Sequence, residues 1–140
     1  MRPSLGQQSR KDTTMPVFND EELREQFDAD LSGVISQSEK LREARSLLVE
    51  TEVEYMRAKY ELKRSEAIFM VEQPIPGKNQ AERDAYLFDQ FVEENTAVND
   101  LECAYKRARS LFDIEEITYK EVMAIIRIKE LYIGERMNSV

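Results

Sequence analysis

The chain has no histidine, a single cysteine, and only four glycines and four prolines in 140 residues. Without histidine there is no Ser-His or Cys-His nucleophile pair, no imidazole metal ligand, and none of the Glu-x-x-His ligation used in helical di-iron sites. One cysteine, Cys103, cannot form an intramolecular disulfide framework, so the reading favours an intracellular protein. No apolar run approaches the length of a membrane span or of a signal-peptide core, so no membrane association is expected. With no enzyme signature left, the sequence reads as a non-enzymatic protein.

What is present is charge and helix-forming residues. Charged side chains make up 34% of the chain and apolar ones 41%, enough for a core. Glu, Lys, Arg, Leu and Ala lose little rotamer freedom in a helix, so this mix favours long helices over sheets. The net charge of −8 is unevenly spread. Arg2, Arg10 and Lys11 make the start basic. Residues 12–35 hold seven acids against Arg24 alone, and 79–103 hold seven against Arg83 alone. An acidic total argues against phosphate-backbone binding over the whole surface.

Apolar spacing then sets the architecture. Asn19 and Glu22 have the spacing of a capping box, with Phe18 and Leu23 placed as a hydrophobic staple, so a short helix from about Asp20 to Phe27 follows, and Gly33 then breaks the pattern. Ser36-x-x-Glu39 opens the next helix. Its series Leu41, Ala44, Leu48, Thr51, Tyr55, Ala58, Leu62, Ser65, Phe69 alternates steps of three and four, the rhythm of a coiled-coil seam. Pro74 and Pro76 end it. Asn79-x-x-Glu82 starts a second long helix whose seam reads Val98, Leu101, Tyr105, Ala108, Phe112, Glu115, Tyr119, Val122, Ile126. The expectation is an all-α fold: a disordered basic and polar arm over 1–15, a short helix and loop over 16–35, and a long antiparallel helical hairpin over 36–140 with its turn at 73–79.

A turn centred near Pro76 sets residue n against about 152 minus n, which places Arg57 and Lys59 opposite Glu93 and Glu94. It also leaves the second helix beyond about Thr118 without a helical partner. That overhang is the most apolar part of the chain. Either Phe18, Leu23, Phe27, Leu31, Val34 and Ile35 fold back onto it, or it is an association surface. Phe112, Tyr119, Val122, Ile125, Ile126, Ile128, Leu131 and Tyr132 are the candidate interaction residues, for a protein partner or a second copy.

Three segments invite chemistry. Asp28-Ala-Asp30-Leu-Ser32-Gly33-Val-Ile-Ser36-Gln-Ser-Glu39 resembles the twelve-residue calcium loop of the EF-hand family, with oxygen-bearing residues at positions 1, 3, 5, 9 and 12 and glycine at 6. The resemblance implies Asp28, Asp30, Ser32, Ser36 and Glu39 as metal ligands and calcium as the one candidate cofactor. Leu31, Ser32 and Lys40 depart from that family's pattern. Gly77-Lys78-Asn79 lacks the rest of a phosphate loop and reads as a turn with an N-cap. The hairpin register also gathers Arg42, Arg45, Lys106, Arg107 and Arg109 into a local basic patch, tempered by Glu43, Glu102 and Asp113, where an anion or nucleic acid could touch.

Pro76-Gly77-Lys78-Asn79-x-x-Glu82-Arg83-Asp84-Ala85 between two Ala/Glu/Arg-rich helices is similar to a group of small helical accessory proteins of tailed phages and prophages. Residues 21–39 and the closing Glu121-Val122-Met123-Ala124-Ile125-Ile126-Arg127 also suit that group. The resemblance implies a phage accessory protein in the bacterial cytoplasm and carries no assigned activity. The functional expectation is a helical scaffold or adaptor working by self-association and partner binding. The alternatives are a calcium module using the 28–39 loop and an acidic inhibitor that mimics nucleic acid.

Overall fold

The computed structural model describes residues 19–138 and is built from helices alone over that range. Helix α1 runs Asp20–Glu72, α2 Gln80–Gln90 and α3 Val92–Asn138. The two long helices, α1 and α3, pack antiparallel along most of their length, as the three-four spacing predicts. The basic arm and Phe18 of the staple lie outside the described residues.

Helix α1 begins where the capping box places it. The Asn19 side chain accepts from the Glu22 amide at 2.8 Å, and the Glu22 carboxylate accepts from the Asn19 amide at 3.1 Å. These bonds satisfy two of the amide groups that a helix start leaves without partners. Asp20, Glu21 and Glu22 also place negative charge at the positive end of the helix dipole.

The expected stop at Gly33 does not occur. The helix continues unbroken for 53 residues, about 80 Å at 1.5 Å per residue. The Ser36-x-x-Glu39 pattern therefore sits inside a helix and caps nothing. A helical glycine costs only about 1 kcal/mol relative to alanine, and the contacts flanking Gly33 outweigh that. Leu23 and Val34 are half-buried, and Asp30 and Gln37 both bond to α3.

The seam holds little that is fully buried. Ala44, Leu62 and Ala108 are the buried apolar residues among those described. Tyr55 stacks on Tyr105 with centroids 5.9 Å apart and planes 9° from parallel. Lys59 Nζ lies 5.8 Å from the centre of the Tyr55 ring, within cation–π range. Among the described residues the one buried polar side chain is that of Gln37, which donates from Nε2 to the Glu115 carboxylate at 2.6 Å and to its carbonyl at 3.3 Å. A polar pair inside an apolar seam penalises slipped registers, because slipping would strand both partners.

The connection is more elaborate than a single turn. Gln73, the C-cap of α1, is extended, and its amide donates to the Phe69 carbonyl at 2.9 Å. Gly77 has φ +150, and a Cβ there would lie 2.9 Å from the Arg83 backbone nitrogen, so both torsion and space require glycine. Asn79 accepts from the Glu82 amide at 2.9 Å, while the Glu82 carboxylate reaches back to the Lys78 amide at 2.7 Å. The expected second helix is interrupted at Phe91, whose amide bonds to the Phe88 carbonyl at 3.0 Å. Asn95 bonds the Phe91 carbonyl through both its amide and its side chain, at 2.8 Å each, and starts α3.

The break lets aromatic side chains close that end of the hairpin. Phe69 meets Phe91 edge-on at 5.6 Å and 84°, and Tyr86 lies 6.5 Å from Phe69. It also moves the register. Tyr55 faces Tyr105, about two turns beyond the Ala97 that a turn at Pro76 would place opposite it. Accordingly, no ion pair joins Arg57 or Lys59 to Glu93 or Glu94 among the described residues.

Candidate interaction surface

At the open end of the hairpin, the start of α1 and the end of α3 diverge around an apolar groove of about 520 Å³. Its walls are Leu23, Phe27, Leu31 and Val34 from α1 and Ile126, Ile128, Tyr132 and Ile133 from α3. Gln26, Asp30, Lys129 and Glu130 supply its polar members. Lys129 bridges to Asp30 at 3.1 Å, and Asp30 also accepts from Gln26 Nε2 at 3.0 Å, so one two-sided clamp ties the helices together beside the groove. Ligand pockets commonly have volumes of roughly 300–1,000 Å³, so this groove is in range for apolar side chains or a small apolar group.

The helix-1 extension changes the meaning of the C-terminal apolar segment. Because α1 begins at Asp20, it accompanies α3 well past Thr118, and the expected unpartnered overhang is largely covered. Leu23 and Val34 contribute half-buried side chains, whereas Phe27, Leu31 and Ile35 remain exposed. Of the interaction residues read from the sequence, Phe112, Tyr119, Val122 and Ile126 are half-buried at the seam with α1. Tyr132 is half-buried at the groove. Ile125, Ile128 and Leu131 point outward and stay more than half exposed.

The segment that resembles a calcium loop lies within helix α1 in this structure. Residues 28–39 are helical, so Asp28 and Glu39 stand about 16 Å apart along the axis at 1.5 Å per residue, too far to share one ion. Asp28, Ser32, Ser36 and Glu39 are strung along one exposed face, while Asp30 turns to Lys129. No cluster of metal-binding side chains forms among the described residues.

The basic patch is only partly assembled. Arg42 and Arg45 share a shallow depression with Ser46, Val49 and Glu50, lined by α1 alone. Lys106, Arg107 and Arg109 are exposed on α3 and contribute nothing to it. Lys106 pairs with Glu102 at 3.1 Å, as the tempering role of Glu102 predicts. The hydrogen bond and the charge of Glu102 hold the Lys106 ammonium above its ordinary pKa. Cys103 is exposed beside this pair.

Beyond Ile125, Ile128 and Leu131, sequence reasoning missed the outer faces. Twenty large apolar side chains are exposed among the described residues, against three buried in the core. Val49, Val53, Met56 and Tyr60 form a stripe on the outside of α1, and Leu111, Ile114 and Ile117 continue the exposed apolar set of α3. The signal was available as a second three-four series beside each seam. No described helix is long and apolar enough to cross a membrane. No family model, curated protein or solved structure matches the chain.

Proposed function

We propose that this chain is a non-enzymatic helical scaffold or adaptor, acting through self-association and through binding a macromolecular partner. The observation that carries the reading is the mismatch between a thin core and a large apolar exterior. Three buried apolar residues serve the described chain, while isoleucines, leucines and valines line the outside of both long helices. Apolar patches of that extent on a soluble chain mark surfaces that another molecule covers.

A place among phage accessory proteins rests on the sequence resemblance alone and fits a structural role without adding a mechanism. The acidic segments 12–35 and 79–103 would set solubility and discourage anionic partners. The test is light scattering coupled to size exclusion across a dilution series. A mass of two or more chains at tens of micromolar supports the scaffold reading. A monomer throughout the series removes self-association from it.

A further inference from the structure

Helix α3 carries two apolar stripes. One is the seam with α1. The second comprises Leu111, Ile114, Thr118, Glu121, Ile125 and Ile128, again at alternating steps of three and four. Each member stands one residue before a seam position, which turns the stripe about 100° away from α1. Ile117, Ala124 and Leu131 border it on the outer side. The six isoleucines and leucines of this face are between 41% and 66% exposed.

The pattern is symmetric about Glu121. Ile117 and Ile125, Ile114 and Ile128, and Leu111 and Leu131 lie in pairs at equal distances on either side of it. A two-fold interface requires a patch that is its own complement, with residue i meeting j and j meeting i. We infer that a second copy of this chain packs antiparallel against this face of α3, with the two-fold axis at Glu121, to give a four-helix assembly. The inference rests on the self-association reading and specifies its face and direction.

Charge agrees with that direction. Asp113, Lys120 and Arg127 line the border of the stripe and are all exposed. In an antiparallel pair, like borders meet, so Asp113 falls beside the second copy's Arg127. Glu121 falls beside the second copy's Lys120, which offsets the approach of two glutamates at the axis. A parallel pairing would set this border against the opposite border of the second copy and lose the Asp113–Arg127 match. Area agrees as well. The six aliphatic residues expose about 600 Å² per copy, and with their neighbours approach the ~800 Å² per partner of a stable interface. The outer stripe of α1 lacks this pairing, because Arg42 and Lys63 interrupt its continuation on either side.

The test uses the full chain with Cys103→Ser, since the exposed native thiol would cross-link on its own account. Glu121→Cys is added in one variant and Met56→Cys in another, and both are mildly oxidised at a concentration where scattering reports the oligomer. The expected result is a covalent dimer through position 121 and none through 56, with the cross-link lost when Ile125→Asp is added to a chain whose helical spectrum is intact. A dimer by scattering that does not cross-link at 121, or that links through 56, overturns this interface and leaves the scaffold reading standing. A monomer by scattering overturns this interface together with the self-association reading on which it rests.

Discussion

The two ends of the hairpin handle apolar surface in opposite ways. At the closed end, Phe69, Tyr86 and Phe91 pack on one another, and Gly77, Asn79 and Glu82 supply the turn and cap that bring them together. At the open end, Phe27, Leu31, Ile128 and Leu131 have equal apolar bulk and remain mostly exposed beside a groove. A reversal of chain direction lets one end cover its aromatics with its own connection. The other end has no such connection among the described residues, and its surplus is available for a further molecule. On the proposed reading, the closed end serves stability and the open half of α3 serves association.

Substitutions can break or sharpen this contrast. Phe69→Ala is expected to have the largest effect, about 2–3 kcal/mol of lost stability by chemical denaturation, because two ring contacts vanish from a partly buried site. Phe27→Ala at the open end should change monomer stability by no more than about 0.5 kcal/mol. Equal losses at both positions would erase the distinction. Next in size is Gly77→Ala, expected to cost about 1–3 kcal/mol, since alanine must adopt φ +150 against the Arg83 backbone.

Gly33→Ala carries the opposite sign. A Cβ at Gly33 meets nothing within 4 Å, and the residue is helical, so alanine should stabilise by about 0.5–1 kcal/mol in a thermal melt. A loop bending at Gly33 would instead be destabilised by the same change, so the measurement decides between a continuous α1 and a broken one. Smallest of all is Glu102→Gln. The Lys106 ammonium is held above its ordinary pKa, so any stability it lends is present below the unfolded lysine pKa and lost as pH rises through the raised folded value. Because the pair lies at the surface, the melting temperature should not shift measurably at neutral pH.

Much of the fold was legible in the sequence because helix and seam depend on local period. The series from Leu41 to Phe69 and from Val98 to Ile126 occupy the inner faces of α1 and α3, apart from Ser65, which is exposed. The first capping box and the stop at Glu72 are also where the residues place them. Gly33 and Phe91 were not legible, since long-range contacts decide both. A glycine penalty near 1 kcal/mol yields to the Asp30–Lys129 and Gln37–Glu115 pairs, whose partners lie far along the chain. The interruption at Phe91 involves neither glycine nor proline and coincides with the edge-on contact between Phe91 and Phe69.

The candidate surface was half legible. The apolar density of the α3 C-terminal half was plain, but which flank faces α1 depends on where α1 begins. With α1 extended back to Asp20, Phe112, Tyr119, Val122 and Ile126 serve the hairpin. The outward flank then centres on Ile114, Ile125 and Ile128.

Sedimentation equilibrium of the unmodified chain beside Ile125→Asp and Val53→Asp tests that assignment most directly. Ile125 and Val53 are comparably exposed, one on the outer stripe of α3 and the other on that of α1. The expected result is a dimer for the unmodified chain and for Val53→Asp, and a monomer of unchanged helical content for Ile125→Asp. A monomeric unmodified chain, or a dimer that survives Ile125→Asp and dissociates with Val53→Asp, would contradict it.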